Sequence, residues 1–338
     1  MSAATYPSVT LHNVAETAPA DWTADGDRLC RVPASVGDDL NDDARERVRH
    51  PTHSEVRFVP ETDDDEIEVT LSAPERARAR VFWGSFQPWQ AIEIGPTPET
   101  LSLGVPDRLR SLDESVDVGR FDPRVCRIAF ERFTPAALHD VRGDCRPPAP
   151  DELPDRRYLA YGTSITEGAK ASAAHLSYVS RVARNCGLDA VNLACSGSAY
   201  CEPALADYVA DRDDWDVATF ALSVNMANAG FSPSEFRERA DYFVNTVADA
   251  HPEKPIACVT LFPYYADVAE EGDADVAAAY RDVLRSVVED SPHDNLSLVA
   301  GTDLLSASEL TWDVLHPGDG GMESIGDGLA RHLETRLD

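Results

Sequence analysis

Residues 158–169 read YLAYGTSITEGA, an apolar stretch that runs through Gly-Thr-Ser into the beginnings of a helix. A serine just beyond a strand becomes a nucleophile when a base takes its proton, and an oriented imidazole is the usual base. A candidate lies far downstream in DVLHPGDGG, where Asp313 stands three residues before His316. On a loop, that spacing lets the carboxylate fold back onto one ring nitrogen while the other faces Ser164, fixing the tautomer and stabilising the imidazolium. Acyl transfer also needs donors for a developing oxyanion. NLACSGSA (192–199) offers a bare backbone N–H at Gly197, and ALSVNMAN (221–228) offers the side-chain amide of Asn225. Each has a plain structural reading as well. Ser164-Ile165-Thr166-Glu167 fits a capping box, D-x-x-H is common on surfaces, and Gly197 and Asn225 suit an ordinary turn and loop. Their order after successive strands favours the chemical reading.

The elements that must position these residues lie in the second half of the chain. Strand RYLAY (157–161), a helix near 173–186, strands LDAVNL and DVATFALS (216–223), a helix at 233–250, strand PIACVTL (255–261), a helix at 273–289, strand LSLVA (296–300) and a helix near 321–336 alternate. Alternation of this kind predicts a parallel sheet with helices on both faces, and ligands bind beyond the carboxyl ends of such strands. The first half differs. SEVRFVP, EIEVTLSA, RARVFWGS, AIEIG, ETLSLGVP and RVCRIAFERF are short runs bounded by Pro, Gly and Asp, several with two-residue alternation, within about 25–142. They predict an antiparallel β-sandwich. RGDCRPPAPDELPDRR (142–157), with four prolines in sixteen residues, reads as a linker. The expected organisation is therefore a β-sandwich domain at 1–145, a linker at 146–156 and an α/β domain at 157–338.

Composition narrows the function classes. Sixty Asp and Glu face thirty Lys and Arg, a net charge of −30, and Lys170 and Lys254 are the only lysines. This acidic surface resembles that of halophilic proteins, since molar salt shortens the Debye length to about 3 Å and relieves self-repulsion. It opposes phosphate backbones and anionic lipids, so neither nucleic acid nor membrane is expected as a partner and a small-molecule substrate is. Oligomeric state is not legible. The start MSAATYPSVTLHNV has no basic and apolar leader pattern, and no stretch approaches about 18 apolar residues, so a cytoplasmic location is expected. Seven scattered cysteines without a C-x-x-C pair predict no disulfide framework and no zinc ribbon, although Cys195 and Cys201 bracket the Gly197 loop. His50 and His53 lack companions at ligand spacing, and the phosphate-loop pattern G-x-x-x-x-G-K-[ST] is absent, so neither a metal nor a cofactor is expected. Phe82, Trp83, Phe86 and Trp89 are read as sandwich core or interdomain packing, with stacking on a sugar as the alternative; Pro263, Tyr264 and Tyr265 are candidates to line an acyl or alcohol pocket.

Across 158–336 the chain resembles the SGNH subgroup of GDSL hydrolases in four blocks, GTSITEG (162–168), NLACSG (192–197), SVN (223–225) and DVLH (313–316). The resemblance implies a flavodoxin-like α/β/α domain, Ser164 as nucleophile, His316 as base, Asp313 as its orienter, and an oxyanion hole from the Ser164 and Gly197 amides with Asn225. The preceding sandwich and YGTSITEGA are similar to a branch that includes a polyketide-tailoring acyltransferase with a jelly-roll N-terminal domain. Thr163 replaces the Asp of the family, while Ala194 and Ser223 stand where it usually has glycine and add side chains that bear on the size of the pocket more than on the reaction. These readings converge on a serine esterase for a small ester such as a short acyl ester or an acetylated carbohydrate. An acyltransferase with the same triad, or a carbohydrate-binding protein on an inactive scaffold, are the alternatives.

Overall fold

The computed structural model describes residues 6–113 and 115–337. Residues 1–5 of the opening stretch lie outside them. The chain forms two compact units, Met1–Ala34 with Val48–Asp155, and Ser35–Arg47 with Arg156–Asp338.

The first unit is a sandwich of two antiparallel sheets. One runs in the order Thr10–His12, Glu55–Pro60, Cys126–Phe130, Ala77–Trp83, Ile92–Ile94, and the other Glu16–Pro19, Asp27–Cys30, Ala137–Arg142, Ile67–Ser72, Glu99–Leu103. Val56, Phe58 and Ile128 from the first interleave with Leu29, Val69, Leu71 and Leu138 from the second in one core. Ala137–Arg142 is an interior strand that sequence reading missed, because a bulge between Leu138 and Asp140 breaks the two-residue alternation. The proline-rich run is not a free linker along its length. Cys145–Arg146 pairs with the strand Glu55–Pro60, and Arg146 holds Glu152 through Nη1 at 2.8 Å and Nη2 at 2.6 Å. Phe82 and Trp83 are buried, Trp83 edge-on to Phe58, whereas Trp89 is 103% exposed, so the expected aromatic cluster divides between core and surface.

The second unit carries five parallel strands in the order Asp189–Asn192, Arg157–Gly162, Val217–Ala221, Ile256–Val259, Leu296–Val299. This is the flavodoxin-like 2-1-3-4-5 order, whose direction of growth reverses between the first and third strands in sequence. Alternate residues feed two layers. Tyr158 and Ala160 join a core with Tyr178, Val182, Ile325 and Leu329 from the helices Tyr178–Asn185 and Asp319–Leu337. Tyr161 stacks on Phe243 of the helix Pro233–Ala250 at 4.5 Å between centroids, on the other face. That helix begins where its sequence dictates. Ser232 Oγ accepts the Glu235 N–H at 3.2 Å, Glu235 Oε2 accepts the Ser232 N–H at 2.8 Å, and Pro233 fills the first position. Residues 35–47, which include all of the helix Asp42–Val48 but its last residue, fold with this second unit although the sequence reading counted them in the first. Among the described residues no helix is long and apolar enough to cross a membrane.

Candidate active site

The strand Arg157–Gly162 ends at the point where the sheet reverses, and Gly162 lets neighbouring atoms approach the chain closely there. A Cβ on it would collide with Thr166 Oγ1 and come within 2.9 Å of the Ala221 carbonyl. The next residue, Thr163, caps the helix Ser164–Glu167, its Oγ1 accepting the Ile165 N–H at 3.3 Å. The cap expected at Ser164 therefore lies one residue earlier, at Thr163, and the reciprocal bond from Glu167 that would complete a capping box is not part of it. Ser164 is the first helical residue, and its hydroxyl is free for another partner.

That partner is His316. Ser164 Oγ lies 2.8 Å from His316 Nε2, and His316 Nδ1 lies 2.9 Å from Asp313 Oδ2. With Nδ1–H directed at a carboxylate, Nε2 is the ring acceptor and can take the serine proton. The loop that folds Asp313 back is tight: Val314 N–H donates to Thr311 O at 2.9 Å and Thr311 N–H to His316 O at 2.7 Å. Val314 adopts φ of 54°, a left-handed conformation costly for a β-branched residue, which the surrounding bonds hold in place. Asp313 Oδ1 accepts from Thr311 Oγ1 at 2.9 Å, Leu315 N–H at 3.0 Å and His316 N–H at 2.9 Å. Burial works to raise the Asp313 pKa, but the His316 amide and ring, the Leu315 amide and the Thr311 hydroxyl outweigh it and hold the carboxyl well below its ordinary value. Asp313 is a carboxylate at every working pH.

The oxyanion candidates gather at the same sheet edge. Cys195 N–H donates to Gly162 O at 2.9 Å, and Ala199 N–H to Asn225 Oδ1 at 3.2 Å, so Gly197 is strung between the end of the first strand and Asn225. Gly197 has φ of 76° and an exposed backbone. The N–H groups of Ser164 and Gly197 and the Nδ2 of Asn225 donate to no acceptor among the described residues. Asn225 sits on a short helix, Val224–Asn228, rather than on a loop.

Thr163 and Ile165, the chain neighbours of Ser164, help Leu222, Val224, Phe262 and Tyr264 to line a cavity of about 10 Å³, room for one water or a methyl-sized group. Of the residues expected to line a pocket there, Tyr264 does so and Pro263 and Tyr265 do not. The cavity wall is braced by Arg281, which donates to Leu261 O at 3.0 Å and Phe262 O at 3.1 Å and is bidentate to Asp267 at 2.7 Å. Ala194 and Ser223 are fully buried and do not line this cavity; Ser223 Oγ turns to the Ala199 carbonyl. Cys195 and Cys201 are buried as well, and burial pushes the Cys201 thiol far up, which keeps it protonated. Sequence reasoning missed Trp312, 96% exposed beside Asp313, and Asn41, whose side chain reaches the Gly197 loop. Trp312 was legible as a neighbour of D-x-x-H; no local signal marks Asn41.

Comparison with known proteins agrees with this architecture. The salicylyl-acyltransferase SsfX3 from a tetracycline biosynthetic pathway is similar in structure with a TM-score of 0.79 at 15% identity, over 99% of this chain and 96% of that one. A putative GDSL-like lipase from Bacteroides ovatus gives 0.66 at 17% identity, over 98% and 96%. A family two carbohydrate esterase from Cellvibrio japonicus gives 0.65 at 13% identity, over 98% and 96%. At these identities the likeness shows the fold. No curated protein matches the sequence. Residues 155–334, more than half of the chain, match the GDSL-like lipase/acylhydrolase family, and the protein belongs to that family of ester-bond hydrolases.

Proposed function

We propose that the protein is a serine esterase for small esters with short acyl groups. Ser164 Oγ attacks the ester carbonyl while its proton passes to His316 Nε2, and the Asp313 carboxylate stabilises the imidazolium. The tetrahedral oxyanion is taken up by the Ser164 and Gly197 N–H groups and the Asn225 amide. His316 returns the proton to the leaving alkoxide and the alcohol departs. Water, deprotonated by the same imidazole, then cleaves the acyl-serine and releases the carboxylic acid. The observation that carries this reading is the unbroken contact from Ser164 through His316 to Asp313, at 2.8 and 2.9 Å. The methyl-sized cavity lined by the chain neighbours of Ser164, Thr163 and Ile165, supports an acetyl or similarly short acyl group, which acetylated carbohydrates would supply.

The likeness to an acyltransferase over nearly the whole chain favours a second reading, in which an alcohol takes the place of water in the last step. One experiment tests both. Wild type and Ser164→Ala are assayed on p-nitrophenyl acetate with and without added alcohols, and both are treated with a fluorophosphonate. Labelling and turnover that vanish together in Ser164→Ala support the mechanism; turnover that survives in Ser164→Ala rejects it. Acyl product diverted to the alcohol in preference to water marks a transferase.

A further inference from the structure

The loop that carries Gly197 is held by five side chains from four separate stretches of chain. Its turn closes where Ser198 N–H donates to Cys195 O at 3.2 Å, and Gly197, third of the four residues, has the positive φ of a type II turn. Beyond it nearly every peptide group is engaged. Asn41 Nδ2 donates to Ser198 O at 3.0 Å, Ala199 N–H donates to Asn225 Oδ1, and Ser223 Oγ donates to Ala199 O. Arg239 Nη1 then donates to Tyr200 O at 3.1 Å, and Cys201 N–H to the Tyr161 hydroxyl at 3.1 Å.

Asn41 is the most distant contributor, 157 residues before Ser198 in sequence, and it is fully engaged. Its Oδ1 accepts the Ala44 N–H at 3.0 Å, capping the helix Asp42–Val48. Its backbone N–H reaches Glu202 Oε1 at 3.4 Å, and Nδ2 bonds the same oxygen while also holding Ser198 O. Glu202 is only 8% exposed and stands at the start of the helix Pro203–Ala210. One amide thus ties together the closing residue of the Gly197 turn and the first residue after the loop.

We propose that Asn41 is a positioning residue for this site: by fixing Ser198 it holds the Gly197 N–H where the oxyanion forms, and Ser223 does the same for Ala199 and hence for Asn225. The inference rests on the oxyanion role assigned to Gly197 and Asn225 above. A preorganised donor works only at the oxyanion's own position, and a misplacement of about 1 Å costs on the order of 10²-fold in rate. A segment that leaves the sandwich unit and returns to it thereby supplies a part of the hydrolase site.

The test separates the cap from the clamp. Asn41→Ser keeps an oxygen for the helix cap and removes the amide donor; Ser223→Ala removes the second tie and touches no cap. Both are measured beside Ser164→Ala for kcat, KM and the pre-steady-state acylation rate on p-nitrophenyl acetate, with thermal melts of each. The expected result is a loss of about 10- to 100-fold in kcat and acylation rate, KM and Tm near wild type, and a double variant less impaired than the product of the singles, because both act through one turn. Wild-type acylation in Asn41→Ser, or a loss confined to KM or Tm, overturns the proposal. Should Asn41→Ser fail to fold, Ser223→Ala decides in the same terms. Undiminished turnover in Ser164→Ala would remove the esterase mechanism itself, whereas a dead Ser164→Ala with a fully active Asn41→Ser removes this inference alone.

Discussion

Thr163 Oγ1 accepts the N–H of Ile165 at 3.3 Å, and that bond leaves the neighbouring hydroxyl, on Ser164, to His316. Two adjacent hydroxyls divide two tasks that the sequence motif alone assigns to a single serine. Thr163→Ala should therefore cost stability, about 1 kcal/mol for a lost cap, or roughly 2–4 °C in Tm for a unit of this size, and should leave Ser164 reactive to a fluorophosphonate. Loss of labelling without loss of Tm would contradict the division.

Asp313 orients His316 and remains ionised. Its pKa is lowered, so the charged form is present above the folded value and is lost only as pH falls through it, below the ordinary carboxylate range. No ionisation of Asp313 should appear in a profile of kcat/KM above about pH 4. Asp313→Asn should lower kcat by up to about 10⁴-fold through the wrong tautomer, with little change in KM. A steady-state pH series on both proteins checks both statements.

The small cavity lined by Thr163, Ile165 and Leu222 predicts a steep preference for short acyl chains. Across acetyl, butyryl and hexanoyl p-nitrophenyl esters, kcat/KM should fall, and Leu222→Ala should move the optimum to longer chains. Each methylene a pocket accepts or refuses is worth about 1–3 kcal/mol, or 10- to 200-fold. An unchanged profile in Leu222→Ala would mean that the acyl group lies elsewhere.

In the sandwich unit Glu55 is buried between Arg127 and Arg57, with Nε contacts of 2.8 and 2.7 Å. Burial alone would raise its pKa, but Arg127 and then Arg57 hold it well below the usual range. Its contribution is therefore present above the unfolded value of about 4.3 and is lost as pH falls through the lowered folded value. Glu55→Gln should lose about 3–5 kcal/mol near neutrality, because two buried guanidinium groups are left facing a neutral amide, and its stability should depend less on acid pH. Denaturant titrations at neutral and acid pH measure this.

A net charge of −30 should make stability rise with salt. Between about 0.1 and 1 M KCl the Debye length shrinks from about 10 to 3 Å, and Tm should climb over that range before levelling. A flat melting temperature would show that paired charges already cancel the repulsion.

By itself the sequence determined the sandwich followed by an alternating α/β region, and it marked Ser164, Gly197, Asn225, Asp313 and His316, because periodicity and loop chemistry are local properties. The helix 233–250 was legible to the residue, since Ser232, Pro233 and Glu235 encode its start within four positions. Only tertiary structure decided that Thr163 rather than Ser164 is the cap. Either hydroxyl can cap, and the choice depends on where the strand Arg157–Gly162 ends against the Ala221 strand. It also decided that Ser223 turns inward to Ala199 and that Asn41 reaches Ser198. Contacts between residues so far apart arise when packed layers bring their backbones together, and no spacing along the chain records them.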